Sequence, residues 1–233
     1  MTAETQSGSA DTVDAPERLV ERVLYRDGLV LVIDKPAGIK VHATAGGGAA
    51  LDARFESLRY GLPRAPQLAH RLDRDTSGCL VLGRHPKALR RLGRLFAEGR
   101  VEKIYWAVVE GAPPEEAGRI EAALSNRGGI VQTDAAGQAA VSDYRVLGRS
   151  GGLAWLELRP LTGRMHQLRV HCAALGCPIL GDGLYGRGGA APMHLHARAV
   201  ALPLYPKRPP ITVTAPAPPH MRAALEACGF AGE

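Results

Sequence analysis

The chain has 233 residues, of which 45% are hydrophobic and 22% charged, a composition typical of a globular protein with one large domain or two lobes. Basic residues outnumber acidic ones by 29 to 23, so the net charge is +6 and the pI about 9.4, which favours a polyanionic partner without requiring one. No run of about 18 apolar residues occurs, so no membrane span is expected.

The cysteines and the N-terminal sequence bear on the cellular compartment. The four cysteines form no Cys-x-x-Cys pair, and two of them stand in apolar surroundings, so free thiols in a reducing compartment are expected. The acidic, polar start of the chain has neither the basic residues nor the apolar core of a signal peptide. We therefore expect a disordered leader over residues 1–17 and a cytoplasmic protein.

In chain order, the first element predicted is a buried strand at residues 29–33, between turn signals at residues 27–28 and 35–38. A glycine-rich loop follows and becomes helical over residues 49–59. A second apolar run, at residues 79–83, predicts another strand.

A basic helix is predicted after this strand, because Leu89, Leu92 and Phe96 recur at helical spacing and Pro86 suits a first helical turn. Seven basic and two acidic residues lie between positions 84 and 103. The basic side of this helix either contacts phosphate groups or is a solvated surface, and the pattern leaves both open.

The second half of the chain alternates irregularly between strands and helices, which is typical of the α+β class. A glycine-rich hairpin with loops is expected over residues 112–138, and Gly176 ends a predicted helix. The predicted strands are residues 103–111, 141–150, 153–161, 194–202 and 211–216, and the predicted helices are residues 165–176 and 219–228.

The segment QLAHRLDRDTSGCLVLGR, residues 67–84, places ionisable residues and a glycine turn directly before a strand. Its two aspartates at alternate positions fit the start of a calcium-binding loop, but the position that requires a bidentate Glu is Arg84. An aspartyl-phosphate phosphotransferase would carry its nucleophilic aspartate after an apolar strand, whereas here the strand follows. A capped turn explains residues 75–78, and it leaves His70 and Arg71 unexplained.

The stretch HRLDRDTSG resembles the signature of the RluA-type RNA pseudouridine synthases. Further resemblance to that family, in the same order, is carried by LVLVIDKPAGIKVH, KIYWAVVEG, PLTGRMHQLRVHCAALGCPILGD, PMHLHARAVALP and ITVTAPAPP. The likeness spans residues 19–230, with Met165 where the family usually has Thr or Ser. It implies a mixed, mostly antiparallel central sheet in two lobes, with flanking helices and a central active-site cleft. Residues 18–233 would form the catalytic domain, without the S4 module that the family often carries.

The implied reaction breaks the N1–C1′ bond of uridine and rejoins the base through C5, with no redox change, so no cofactor is expected. A carboxylate can attack C1′ or stabilise charge there. The resemblance gives this role to Asp73, and attack on C1′, addition to the base and removal of a sugar proton all stay open. Arg169 would keep Asp73 charged and aligned, although by position it also fits a surface helix. Tyr105 would stack on the base and serve in proton removal, although strand packing also fits.

A base inside folded RNA must leave its stack before it reacts, and Arg71 is implied to fill the space that it leaves. Other residues expected to bind RNA follow from the matched motifs and the basic helix: His70, Thr76, Lys103, Arg164, His166, Gln167, Arg90, Arg91 and Arg94. The histidines lack Cys or carboxylate partners at ligand spacing, so no metal is expected, and His166, His171, His194 and His196 are taken as structural or RNA-facing.

The expected partner is therefore a stem-loop of ribosomal or transfer RNA, bound by a monomer that does not associate with membranes. Two other classes stay open. A non-catalytic RNA-binding or RNA-folding protein could use the same scaffold, and a metal-dependent phosphotransferase would show activity that EDTA abolishes.

Overall fold

In the computed structural model of the protein, residues 17–43 and 50–233 are described. The expected leader, except Glu17, and the glycine-rich loop at residues 44–49 lie outside the described residues. Eleven strands in the described part of the chain form one sheet. They are β1 (Val23–Arg26), β2 (Val30–Lys35), β3 (Gln67–Leu68), β4 (Ser77–Gly83), β5 (Glu102–Glu110), β6 (Ala117–Arg127), β7 (Ile130–Thr133), β8 (Gln138–Ser150), β9 (Leu153–Pro160), β10 (Leu195–Leu202) and β11 (Ile211–Thr214).

Helices pack around this sheet. Those described are α1 (Glu17–Val20), a 3₁₀ helix (Leu51–Leu58), α2 (Pro86–Ala97), α3 (Gln167–Ala174) and α4 (Pro219–Ala227). The helix predicted over residues 49–59 is the 3₁₀ helix. Its buried side chains Leu51, Phe55 and Leu58 are three or four positions apart, a spacing that both helix types bring to one side, so the pattern did not distinguish them.

The strand order is β1-β2-β4-β10-β5-β9-β8-β6-β7, with β3 paired to β4 and β11 paired to β10. Every described pair of strands is antiparallel apart from β4 with β10, which is parallel. This arrangement confirms the predicted α+β fold with a mixed, mostly antiparallel sheet. Strand β10 comes late in the chain and lies between β4 and β5, where it joins the strands of the two lobes.

Each lobe has its own hydrophobic core. In the N-terminal lobe the sheet is covered on both faces, because Val30 and Leu31 are neighbours in β2 and enter different clusters. In the C-terminal lobe Leu168 of α3 packs against β5, β8 and β9. Tyr105 of β5 contacts clusters of both lobes, and a cleft opens at this border.

Strands β8 and β9 confirm the antiparallel pair predicted from residues 141–161. Gly151 and Gly152 join them, and both have positive φ, which glycine adopts without strain. The four cysteines are buried free thiols. Among the described residues, no helix combines the length and the apolar character needed to cross a bilayer.

Candidate active site

The cleft at the border of the lobes is a cavity of about 480 Å³, large enough for one nucleotide base or a similar small group. Ten of the thirteen predicted site residues line it: His70, Arg71, Asp73, Thr76, Lys103, Tyr105, Arg164, His166, Gln167 and Arg169. The other three, Arg90, Arg91 and Arg94, lie on α2 outside the cleft. Residues that are far apart in sequence are therefore brought together by the sheet.

Asp73 lies on the turn between β3 and β4, and the residues after it fix that turn to the sheet. The backbone N–H of the buried Thr76 donates to the Asp73 carbonyl at 3.3 Å. Gly78, with φ +102°, lies so close to β10 that a Cβ atom there would be 2.3 Å from the Ala197 carbonyl oxygen. Only glycine fits this approach. The Thr-Ser-Gly sequence thus determines where the Asp73 turn rests on β10.

Lys35 supports the same turn from behind, and sequence reasoning gave it no role. Its side chain is fully buried, and its ammonium donates to the Pro36 carbonyl at 2.7 Å and to the Arg74 carbonyl at 2.9 Å. Burial lowers the pKa of Lys35 to about 8, against the opposing effect of Asp75 and Asp73. The turn is therefore held by a buried cation that is close enough to Asp75 and Asp73 to interact with their charges.

The Asp73 carboxylate faces two nitrogen atoms across the cleft floor. Arg169 Nη1 is 3.7 Å and His166 Nε2 is 3.8 Å from Asp73 Oδ2. Both distances are too long for direct hydrogen bonds, and the one to Arg169 is that of an ion pair. The Asp73 side chain is 23% exposed. The Asp73 carboxylate therefore lies beside the positive charge of Arg169 and is still accessible to a ligand.

Arg169 makes its short contacts with Asp182, a residue that the sequence analysis did not single out. Arg169 Nε and Nη2 donate to the two Asp182 oxygens, each at 2.7 Å, and Asp182 is 1% exposed. Burial opposes ionisation of Asp182, but hydrogen bonds from Arg169 and from two backbone N–H groups keep its pKa below the usual range. The expectation that Asp73 is the main partner of Arg169 is therefore incomplete, because Asp182 holds this guanidinium in place.

His166 begins α3 in a left-handed conformation, with φ 52°, which is uncommon outside glycine and marks a constrained position. Its Nδ1 lies 2.7 Å from the Tyr185 hydroxyl, and that hydroxyl accepts a hydrogen bond from Val131 N–H at 2.9 Å. Since this hydroxyl already accepts from Val131, we assign its own proton to a hydrogen bond with Nδ1. The neutral ring then carries its own proton on Nε2, which faces Asp73.

The charge state of His166 depends on its surroundings. Burial lowers the pKa of the imidazole, Asp73 and Asp182 raise it, and Arg169 and Arg71 lower it, with a net shift below the usual value. His166 is therefore neutral at pH 7. It contributes a hydrogen-bond donor beside Asp73 and leaves the local charge to Arg169.

Tyr105 forms a wall of the cleft from β5. Burial raises the pKa of its phenol, and the nearby Asp73 and Cys79 raise it further. The phenol is therefore protonated at neutral pH, and its ring lines the cavity as a flat apolar surface.

His70 and Lys103 lie at the edge of the cleft near the end of α2. His70 Nε2 accepts a hydrogen bond from Val81 N–H at 3.0 Å, and its ring stacks on Phe96 with the centroids 4.5 Å apart. Burial, and then the charge of Lys103, lower the pKa of His70 to about 4. His70 is thus a neutral ring that fixes the start of the Asp73 turn to β4. Burial also lowers the pKa of Lys103.

The Gln167 amide is used completely within the protein. Its nitrogen donates to the Val141 carbonyl at 2.9 Å and to Ser142 Oγ at 2.8 Å, and its oxygen accepts from Thr162 Oγ1 at 2.7 Å and Arg164 N–H at 3.0 Å. We infer that Gln167 positions the loop before α3, because no donor or acceptor of its side chain is left for RNA. Arg164 is exposed beside it.

Arg71 is exposed at the mouth of the cleft, and nothing else in the described part of the chain binds its guanidinium. Together with Lys103, Arg164 and Arg169 it surrounds Asp73 with positive charge. Such a cleft attracts an anionic polymer while presenting one carboxylate at its floor.

Over residues 17–43 and 50–233, no cluster of three or more His, Cys, Asp and Glu side chains is arranged to hold a metal ion. The histidines of β10 and the segment before it have structural partners. His196 Nδ1 lies 2.9 Å from Ser77 Oγ, and His194 Nδ1 lies 2.8 Å from the Pro192 carbonyl oxygen.

Comparison with known proteins gives this cleft a family. Residues 29–174 match the family described as RNA pseudouridylate synthase. The chain is 42% identical over 209 residues to an uncharacterised RNA pseudouridine synthase of Zymomonas mobilis, covering 86% of this chain and 95% of that protein. It is 34% identical over 205 residues to ribosomal large subunit pseudouridine synthase C of Rickettsia bellii, covering 83% of this chain and 67% of that one.

A solved structure agrees with these sequence relatives. Human RNA pseudouridylate synthase domain containing 4 superposes with a TM-score of 0.78 at 27% identity, covering 91% of this chain and 95% of that one. The chain therefore belongs to the RluA-type RNA pseudouridine synthases. Members of this family are isomerases, and the reaction is the conversion of uridine to pseudouridine.

Proposed function

We propose that Asp73 is the carboxylate through which this chain converts a uridine of structured ribosomal or transfer RNA into pseudouridine. The observation that carries this proposal is the position of Asp73, which is partly exposed on the floor of a cationic cleft, 3.7 Å from Arg169 and 3.8 Å from His166. A carboxylate placed among phosphate-attracting residues has an electrostatic cost for RNA binding. A pure binding protein would have no use for it.

The reaction needs no second substrate. The N1–C1′ bond breaks, a C5–C1′ bond forms, C5 loses its proton, and N1 gains one, so product and substrate have the same atoms. We assign to Asp73 the catalytic carboxylate and to Arg169 the cation that aligns it. Tyr105, neutral at pH 7, supplies a ring on which the uracil stacks.

Base extrusion is assigned to Arg71. Its guanidinium is exposed at the cleft mouth and free of partners in the described chain, so it can enter the stack that the uridine leaves. Lys103 and Arg164 are proposed to contact the RNA backbone at the two sides of the cleft. Thr76 and His70 would act through the Asp73 turn that they hold.

The identity of the RNA is proposed from chemistry and from one relative. The Rickettsia protein is named for the large ribosomal subunit, which makes ribosomal RNA the first candidate here. Mapping pseudouridines in ribosomal and transfer RNA from cells with and without the gene would identify the position. A site lost only from transfer RNA would exclude the ribosomal assignment.

Asp73→Asn tests the catalytic role, with Asp75→Asn as the matched control. Asp75 lies on the same turn and pairs with Arg74 at 2.9 Å outside the cleft. Asp73→Asn should reduce pseudouridine formation more than about 100-fold, or about 2.7 kcal/mol of activation free energy, with RNA affinity retained. Asp75→Asn should stay near wild type. Residual activity of Asp73→Asn above a hundredth would remove Asp73 from this role.

The alternative class, an RNA-binding protein without catalysis, is tested in the same experiment. A wild-type chain that binds RNA tightly and forms no pseudouridine in any cellular RNA would support it. We also propose that the enzyme acts as a monomer in the cytoplasm. The proposed reaction residues Asp73, Tyr105 and Arg169 meet within a single fold. Light scattering and cell fractionation test these two statements.

A further inference from the structure

A second depression lies beside the cleft, between α2 and the segment that joins β10 to β11. Its volume is about 570 Å³. Pro203 and Pro206 form one wall, and Leu95 of α2 also lines it. We call it the basic groove, because its other lining residues are all cationic: Lys87, Arg90, Arg91, Arg94 and Arg100.

Three arginines of the basic groove lack counterions in the described part of the chain. Within the described residues, Arg90, Arg91 and Arg94 form no ion pair, and α2 contains no acidic residue. Arg100 has only a 3.5 Å exposed contact with Glu98. Like charges three or four positions apart on a helix are destabilising. The sequence therefore maintains an unfavourable cluster that an anionic partner would relieve.

Arginines on another surface show the contrast. Arg119 pairs with Asp143 at 2.6 Å, and Arg145 and Arg159 both contact Glu157, at 3.4 and 3.0 Å. Glu157 is opposite Trp106 in the sheet, whereas Leu158 is opposite Tyr105, so these pairs lie on the sheet face away from the cleft. These three arginines are neutralised by carboxylates, whereas Arg90, Arg91 and Arg94 of the basic groove are not, as far as the described residues go.

The basic groove is continuous with the cleft through one helix. Phe96 and Ala97, the last residues of α2, line the cleft, while Arg90, Arg91 and Arg94 of the same helix line the groove. Arg90 and Ala97 are seven positions apart, which is about 10 Å along a helix. A polymer leaving the cleft over the end of α2 reaches the groove within a few nucleotides.

The lining chemistry favours contacts with phosphate groups. The polar side chains that line the groove are all cations, and no aromatic ring, amide or carboxylate lies among them. We propose that the basic groove binds the phosphodiester backbone of the RNA segment that flanks the target uridine, independently of its sequence. This inference rests on the proposed function. It adds a second contact site, so the substrate must extend beyond the nucleotide in the cleft.

The test is the salt dependence of binding to a labelled RNA hairpin long enough to span cleft and groove. Replacing Arg90, Arg91 and Arg94 together by Gln should make the slope of log affinity against log salt shallower by about 2 to 3. The reason is that each phosphate contact releases counterions on binding, and the variant makes three fewer contacts. The conservative triple Lys variant should keep the wild-type slope. Thermal unfolding of each variant checks that these exposed changes leave the fold intact.

The matched control replaces Arg119, Arg145 and Arg159 by Gln, which removes the same charge from the far face. Its slope should equal that of wild type. An unchanged slope in the α2 variant, or an equal loss in the control, would show that the groove is merely solvated or serves a different anion. Pseudouridine formation by the wild-type chain is measured separately. The groove can therefore fail while the enzyme assignment stands, and absence of activity would overturn that assignment instead.

Discussion

Arg169 binds Asp182 and faces Asp73 with different parts of one guanidinium. Two nitrogens of Arg169 lie 2.7 Å from the Asp182 oxygens, and the third is 3.7 Å from Asp73 Oδ2. Bidentate pairing fixes the plane of the guanidinium. The direction from which positive charge reaches Asp73 is thereby set by a carboxylate that does not itself line the cleft.

Asp182→Asn should cost both stability and activity. Removing one partner of a buried pair leaves an uncompensated charge, which typically costs about 3–5 kcal/mol. The matched change Asp143→Asn, in the exposed bidentate pair with Arg119, should cost less than about 1 kcal/mol. Urea unfolding measures the stability of the two variants, and pseudouridine formation measures their activity. Equal losses of stability in the two variants would mean that the buried Arg169–Asp182 pair stabilises the fold no more than the exposed Arg119–Asp143 pair.

Tyr185→Phe should move the acid limb of the pH–rate profile to higher pH. His166 has a pKa below its usual value, and the hydrogen bond from Tyr185 favours the neutral ring, so losing that bond raises the pKa of His166. We propose that activity requires neutral His166 as the hydrogen-bond donor beside Asp73. Activity is then lost as pH falls through the pKa of His166, and in Tyr185→Phe this loss should begin at higher pH. The alkaline plateau should fall less than about tenfold, the value of one hydrogen bond.

The control for this profile is Asp34→Asn. Burial raises the pKa of Asp34 to about 6, so this carboxyl titrates in the same range although it lies outside the cleft. Its replacement should leave the acid limb in place. If the acid limb moved in Asp34→Asn and not in Tyr185→Phe, the titrating group would be Asp34 and not His166.

Arg71 and Arg169 should differ in their dependence on RNA structure. Extruding a stacked base costs a few kcal/mol, and less when the base is already loose. Arg71→Ala should therefore lose much more activity on a folded stem-loop than on a short flexible RNA with the same target. Arg169→Ala should lose activity equally on both. Single-turnover rates measure this, and an equal loss for Arg71→Ala on the two RNAs would refute its role in extrusion.

The sequence predicted the fold and the lining of the cleft well, because both depend on short-range patterns. Asp73 and Gly78 belong to one turn motif, and Tyr105 stands in an alternating strand whose apolar neighbours mark the sheet. Their convergence required knowing that β10 lies between β4 and β5. That order is a tertiary property, and neither the residue patterns nor the resemblance predicted it.

What the sequence did not reveal is pairing between irregular segments. Asp182 and Tyr185 lie in a loop without periodicity, although Asp182 ends one of the matched stretches, PLTGRMHQLRVHCAALGCPILGD. Gln167 looked like a polar residue available to RNA, and only its four hydrogen bonds show that it is saturated. Such facts depend on distances between segments, which residue types do not encode.

The position of β10 has a consequence for when the enzyme becomes competent during synthesis. In the hydrogen-bonded strand order, β10 joins the strands that carry Asp73 to those that carry Tyr105, and Gly78 rests directly on its backbone. This strand ends at Leu202. The chain must therefore emerge from the ribosome through Leu202 before Asp73 and Tyr105 share one rigid frame, so a nascent chain that stops before this strand has no assembled cleft.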